Sequence, residues 1–269
     1  MKARVTGHFG EWLQGRMGPD GAVALVTLTC PVLGVEVDIA DGALDIVSDV
    51  PVLDTARLIR FLEALGVPVR GRFTLRTGMI PGAGAGASTA VLVAIARAVL
   101  GPEAKPGRVA AACLAAEGAS DPLMLAHPDR AIWASRQAKA LITTGPLPKA
   151  EIVGGFWGDP LRTDPGDADF PDISDLIDAW QTAVRGGDLA KMARLSARSA
   201  RRTTGRRGPV GDPVEQVAHD LGALGFARAH TGSARAVIFA PGAVPRQAGA
   251  VASEAGLTGV IRFRTGGRA

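Results

Sequence analysis

Three observations predict an α+β chain built in two parts. Strand-like and helical runs alternate along both halves of the 269 residues, a length sufficient for one large domain or two packed ones. The linker Pro146-Leu147-Pro148 separates the halves and sets the expected boundary, giving parts 1–148 and 149–269. Within the first part, the stretch Ile80-Pro81-Gly82-Ala83-Gly84-Ala85-Gly86-Ala87-Ser88-Thr89 opens a run that is almost wholly apolar from Val91 to Leu100. That stretch reads as a turn leading into a buried helix, and the first half is organised around it.

In chain order, Ala3–Val5 reads as a strand, and Gly7–Gly15 as a polar loop after it. Strand-like runs follow at Ala22–Cys30, Leu33–Ala40 and Ala43–Ser48, divided by Pro31 and by Asp41-Gly42. Asp54 to Leu65 has helical spacing, with Asp54 as N-cap and Gly66 as stop. Arg72–Thr77 alternates as a half-exposed antiparallel strand does. After the glycine stretch and its helix, Gly101-Pro102 gives a break. Pro106–Glu117 then reads as a helix with proline in its first turn. Ala131–Ser135 and Ala140–Thr143 form an expected hairpin. In the second half, strands are expected at Ala150–Gly154, Val237–Ala240 and Gly259–Phe263. Helices are expected at Ile173–Val184, Leu189–Ser199, Val214–Leu224 and Pro245–Ala255.

Composition narrows the class. Hydrophobic residues make up 47% and charged residues 21%, which is ordinary for a folded domain. No run of 18 apolar residues appears and the N-terminus lacks an apolar signal segment, so no membrane partner is expected. Cys30 and Cys113 are the only cysteines; both lie in apolar segments and read as reduced core residues of a cytoplasmic protein. The formal charge of +4 suits an anionic substrate. The arginines from Arg198 to Arg207 are the one basic cluster, and they lack interleaved aromatics, so no nucleic-acid partner is expected. This run reads as a solvated loop, or as a mobile arm that closes over phosphates.

Glycines let a backbone approach a ligand closely, and a helix start aims unpaired N–H groups at one point. Together they make an anion site, with phosphate the usual anion. Ser88 and Thr89, in the first helical turn, can reach a phosphate oxygen or Mg²⁺. A P-loop is excluded, because no lysine lies between Gly71 and Leu100. A dinucleotide fingerprint is formally met by Gly82, Gly84 and Ala87. The alternating strand before it and the intervening Pro81 are the wrong context. Glu117 and Asp121 are a second informative pair. They are carboxylates at the end of an Ala-rich helix, where a metal ion or a surface cap would account for their charge.

The proline, the glycine- and serine-rich loop and the buried helix together resemble those of the GHMP small-molecule kinases. The similarity is closest to the branch of L-threonine kinases of cobalamin synthesis and propanediol utilisation, whose loop resembles P-x-G-K-G-M-A-S-S-T-A-D. Gly82, Gly84, Ser88, Thr89 and Ala90 match it, while Ala83 replaces the lysine, Ala87 the first serine and Val91 the aspartate. Gly10, Glu11, Gln14 and Gly15 match the branch's G-E-L-x-Q-G. Glu117 and Ser120-Asp121 match its E-P-T-D-S with one residue inserted. Ala229-His230-Thr231-Gly232 resembles its A-H-S-G. Gly155-Phe156 and Thr163-Asp164-Pro165 extend the similarity over the whole chain.

The resemblance implies a ribosomal-protein-S5-like N-terminal domain and a ferredoxin-like C-terminal domain. It implies ATP-dependent phosphorylation of a hydroxyl on a small polar metabolite, with L-threonine or a related hydroxy amino acid as first guess, and it is compatible with a homodimer. ATP would lie on Gly82, Gly84, Ala85, Gly86, Ala87, Ser88 and Thr89, and Mg²⁺ on Ser88 and Glu117. Asp121 would orient the hydroxyl or take its proton, and Arg235 would meet phosphoryl charge in place of the missing lysine. His8, Glu11, Gln14 and His230 would face the acceptor. Two rival readings remain: a catalytically degenerate nucleotide- or metabolite-binding protein on the same fold, and an NAD(P)-dependent enzyme using the Gly82-Gly84-Ala87 match.

Overall fold

The computed structural model describes residues 1–18 and 20–267. The strands are β1 (Lys2–Arg16), β2 (Val23–Ala40), β3 (Asp45–Ser48), β4 (Arg72–Thr77), β5 (Ala131–Ala134), β6 (Lys139–Thr143), β7 (Ala150–Phe156), β8 (Gly225–Arg228), β9 (Ala234–Phe239) and β10 (Thr258–Thr265). The helices are α1 (Thr55–Leu65), α2 (Ala87–Leu100), α3 (Pro106–Glu117), α4 (Ser174–Gly186), α5 (Leu189–Arg207), α6 (Val214–Asp220) and α7 (Ala248–Glu254). The strands join one sheet in the order β10-β7-β9-β8-β1-β2-β4-β3, with the β5–β6 hairpin added to β2. The mixed α+β class expected from the sequence is what is observed. No helix among the described residues is long and apolar enough to cross a membrane.

Elements with local signals appear where expected. Asp54 caps α1 by accepting from Arg57 N at 2.8 Å, and Gly66 ends it in the left-handed region. Pro106 opens α3 and Gly118 closes it. α2 is buried on nearly every side because it is enclosed by β1, β2, α1 and α3, which explains its run of alanine, valine and leucine. In β9, Ala234, Ala236 and Ile238 face a core with α4 and α5, whereas Val237 and Phe239 face a second core with α6 and α7. Burial on both faces makes residues 236–239 of that strand a continuous apolar run.

Four expectations are corrected. The segment Gly7–Gly15 is the buried part of β1, not a loop. Its polar residues are enclosed because β1 lies in the middle of the sheet. The runs on either side of Pro31 are a single strand, β2. Its register against β1 jumps from Gly34 opposite Thr6 to Cys30 opposite Gly7, so Pro31 sits in a bulge where no ladder N–H is needed. The helix expected over 214–224 stops at Asp220, and the chain then forms the short strand β8. The arginine run is neither loop nor arm, since α5 continues through it to Arg207. Arg201 pairs with Glu215, Arg202 with Asp175, Arg206 with Asp169 and Arg207 with Asp167, which fixes these side chains to neighbouring segments.

Candidate active site

β1 pairs with β8 at only one position, Glu11 opposite Arg228, so the edge of β1 ahead of it is open. The glycine stretch fills that edge. His8 N donates to Ala85 O at 3.0 Å and Gly10 N to Gly84 O at 3.1 Å. On the loop's other side, Ser233 N and Ala234 N donate to Ala83 O, and Leu161 N donates to Gly82 O. The carbonyls of residues 82–85 are thus all engaged by protein. The N–H groups of residues 84–89 have no acceptor among the described residues, so they are left for a ligand.

Two glycines are required here. Gly84 has φ +81°, and a Cβ on it would lie 2.2 Å from Ala229 Cβ. Gly86 has φ +73°, and its Cβ would lie 2.4 Å from the His8 ring.

The loop borders a cavity of about 370 Å³. Its wall includes His8, Glu11, Gly82, Gly84, Ala85, Gly86, Ala87, Ser88, Thr89, Glu117, Asp121 and His230, so most residues singled out in the sequence meet in one place. At the start of α2, Ser88 Oγ donates to Glu117 Oε1, which also accepts from Arg57 Nη1 at 3.1 Å. Burial pushes the Glu117 carboxyl upward, against the pull of the Ser88 hydroxyl and Arg57. At the next residue, Thr89 Oγ1 accepts from Asp121 N at 3.2 Å.

The buried polar centre is made by His8, Glu11, Asp121 and His230. His8 Nε2 lies 3.2 Å from Asp121 Oδ2, and His8 Nδ1 lies 3.8 Å from Glu11 Oε1. Burial opposes charge on His8, but Asp121 and Glu11 outweigh it and lift its pKa to about 9. Burial likewise opposes charge on Asp121, but adjacent His8 holds its pKa below the usual carboxylate value. Glu11 is pushed up to about 8 by burial, partly countered by His8. Glu11 Oε2 also accepts from His230 N at 2.5 Å. The His230 ring stacks on Phe170 at 3.8 Å, and burial with nearby Arg136 and Arg207 lowers its pKa to about 3, so it is neutral.

A stability prediction follows from His8. Its folded pKa of about 9 exceeds the ordinary 6.5, so its contribution is complete below about pH 6.5 and is lost as pH rises through 9. Glu11, also raised, acts in the same direction. The melting temperature is therefore expected to fall between pH 6.5 and 9; a flat or rising profile there would contradict a charged His8.

Two sequence assignments lie elsewhere. Arg235, expected to meet phosphoryl charge, is 1% exposed on β9 and outside the cavity wall. Its Nε donates to Asp212 at 2.6 Å and its Nη1 to the Gly232 and Ala234 carbonyls. Gln14 is fully buried; its Nε2 donates to Arg228 O, and its backbone exchanges hydrogen bonds with Ser199 Oγ. Gln14 holds β1 to α5 and β8, and Arg235 holds the β8–β9 hairpin to Asp212 ahead of α6. The sequence reading missed the arginines of the cavity wall, Arg57, Arg60, Arg136 and Arg162. Arg57 and Arg60 arrive through the packing of α1 on α3, which no local pattern announces. Arg136 was legible only as a turn residue, and Arg162 only as the neighbour of Thr163-Asp164-Pro165.

Neither a family model nor a curated protein sequence matches this chain. Solved structures do match its fold over nearly the whole length. Mevalonate kinase from L. major, in complex with R-mevalonate, superposes with a TM-score of 0.66 at 13% identity, over 98% of this chain and 95% of the other. Homoserine kinase from Cytophaga hutchinsonii gives 0.62 at 14%, over 99% and 94%. A 4-(cytidine 5'-diphospho)-2C-methyl-D-erythritol kinase gives 0.63 at 22%, over the whole of both chains. The fold is therefore the α+β fold of the GHMP kinases. The dinucleotide reading loses its structural basis. Every named strand pairing except β3–β4 is antiparallel, whereas that fingerprint belongs to a doubly wound parallel sheet.

Proposed function

We propose that this protein is an ATP-dependent kinase that phosphorylates a hydroxyl of a small polar metabolite. One observation carries the reading. A loop of unengaged N–H groups and an ionised Asp121 beside a charged His8 face the same cavity. The fold shared with kinases of hydroxyl-bearing metabolites supports it.

Phosphoryl transfer asks for positioning and charge neutralisation more than covalent chemistry from the protein. The N–H groups of Gly84 to Ala87 would hold the β- and γ-phosphates. Asp121 would take the acceptor proton as the acceptor oxygen bonds to the γ-phosphorus and the bond to the ADP oxygen breaks. His8 keeps Asp121 ionised and ready at neutral pH. The direct contact of Ser88 Oγ with the nearly enclosed Glu117 carboxylate fits Mg²⁺, which uses few protein ligands alongside phosphate oxygens. Bound there, the ion would draw charge from the phosphate oxygens. No cluster of three acidic, histidine or cysteine ligands occurs among the described residues, so phosphate would complete its coordination.

The motif matches in β1, the glycine loop and the Glu117–Asp121 segment favour L-threonine or a related hydroxy amino acid as the first acceptor to try. Ala83 in place of lysine favours the rival, a binding protein without turnover. MgATP is expected to raise the melting temperature and NAD to leave it unchanged, since only a ligand that binds the native state stabilises it. Mass-spectrometric detection of phosphorylated products, across a panel of hydroxy amino acids and hydroxy acids, then separates the readings. MgATP binding without any product selects the nucleotide-binding protein; no MgATP binding removes the kinase and leaves only a metabolite-binding protein.

A further inference from the structure

The four arginines of the cavity wall are not equivalent. Arg57 is paired with Asp54 and Glu117, and Arg60 and Arg162 are exposed to solvent. Arg136 is half-buried and forms no salt bridge among the described residues. Its Nη1 donates to Ser135 Oγ at 3.3 Å and its Nη2 to Asp164 O at 3.1 Å, while its buried Nε has no acceptor. Asp121, Asp164 and Asp167 act on it at a distance without forming a salt bridge among the described residues, so a partly desolvated guanidinium on a cavity wall still favours direct contact with a ligand anion.

Its position is on the acceptor side. Ser120 N donates to Ser135 O at 2.9 Å, which ties the Asp121 segment to the β5–β6 turn that carries Arg136. Besides the His8 ring nitrogens, which face Asp121 and Glu11, three more buried polar atoms in this wall lack hydrogen-bond partners among the described residues: Ser120 Oγ and both ring nitrogens of His230. Buried polar groups are nearly always satisfied, so orphans clustered beside the candidate base mark where a polar ligand sits. Neutral His230 offers one donor and one acceptor, and its ring is held by Phe170 and by the Glu11 bond to its backbone.

We propose that the acceptor carries a carboxylate, seated on the Arg136 guanidinium, with Ser120 Oγ and the His230 ring nitrogens meeting its remaining polar groups. This rests on the kinase reading and specifies the acceptor end of the same cavity. A planar guanidinium matches a carboxylate with two parallel N–H donors. A neutral polyol would offer the guanidinium no such charged pair.

The test uses matched pairs that differ only at that group: L-threonine with L-threoninol, and D-glycerate with glycerol. MgATP binding to the wild type is read first, by calorimetry, so a failure of the kinase reading registers there. Acceptor binding in the presence of Mg²⁺ and a non-hydrolysable ATP analogue, and turnover with MgATP, follow. The carboxylate member of at least one pair is expected to be favoured by about 100-fold, the size of a charge-assisted contact with an otherwise unmet partner. Arg136→Gln should reduce that preference to within about threefold through the acceptor KM, with the ATP KM unchanged. Arg136→Lys, which keeps the charge and loses the fork, should fall between and guards against a folding defect in the first variant. Three results would overturn the proposal while MgATP still binds: no carboxylate compound engages, the alcohols serve as well as the acids, or Arg136→Gln raises the ATP KM instead. The last would make Arg136 a phosphate ligand.

Discussion

Asp121→Asn is expected to lower turnover by roughly 10²–10⁴-fold, the range for loss of a positioned general base, while MgATP affinity changes little. The geometry supports this split. Asp121 lies at the acceptor end against His8, and it reaches the start of α2 through Thr89, whose Oγ1 accepts from its backbone N–H. The substitution also removes the nearest carboxylate that holds the His8 pKa near 9, leaving Glu11 at 3.8 Å. Charge on His8 should then be lost at a lower pH. Any residual activity is expected to show an alkaline limb shifted downward from that of the wild type. Steady-state kinetics against pH, with calorimetric MgATP titrations of both proteins, give the answer. Wild-type turnover in the variant would sink the base assignment, and an equal loss of MgATP binding would place Asp121 with the phosphates.

The sequence was most informative where structure is set by neighbours a few residues away. α1 and α3 appear as expected because Asp54, Gly66, Pro106 and Gly118 act within one turn, and β4 because its own residues alternate between buried and less buried. The glycine stretch was legible as a turn into a buried helix for the same reason. What was lost depends on distant partners. Gly7–Gly15 looked like a polar loop because nothing local shows that His8 meets Asp121 or that Glu11 meets the backbone of His230. The arginines after Arg198 looked solvated because their carboxylate partners are Asp167, Asp169, Asp175 and Glu215, in segments on either side. The missing loop lysine led to Arg235, because its segment was expected to lie beside the phosphates. That residue is buried against Asp212. The cation beside the candidate base is a histidine, a residue whose charge at neutral pH depends on its surroundings. Sequence shows which groups can ionise; packing decides which do.

Gly84→Val is expected to abolish MgATP binding and to lower stability as well. The structure predicts a double effect, because Gly84 is where the loop touches the β8–β9 hairpin. A Cβ there would come within 2.2 Å of Ala229 Cβ and 2.9 Å of Thr231 O. At φ +81° any L side chain is also strained, by about 1–2 kcal/mol, and a β-branched one more. Overpacking adds roughly 1–3 kcal/mol, so the sum is a substantial part of a typical 5–15 kcal/mol stability without exceeding it. The folded variant would therefore exist with its loop pushed off the hairpin and its N–H groups no longer convergent. Gly158→Ala is the control. Gly158 has a comparable φ of +79° but nothing within 4 Å of the added carbon, so it isolates the conformational term. It should lose about 1 kcal/mol in denaturant melts and keep MgATP affinity. If Gly84→Val melts no lower than Gly158→Ala and binds MgATP as the wild type does, the loop is a turn and not a phosphate cradle.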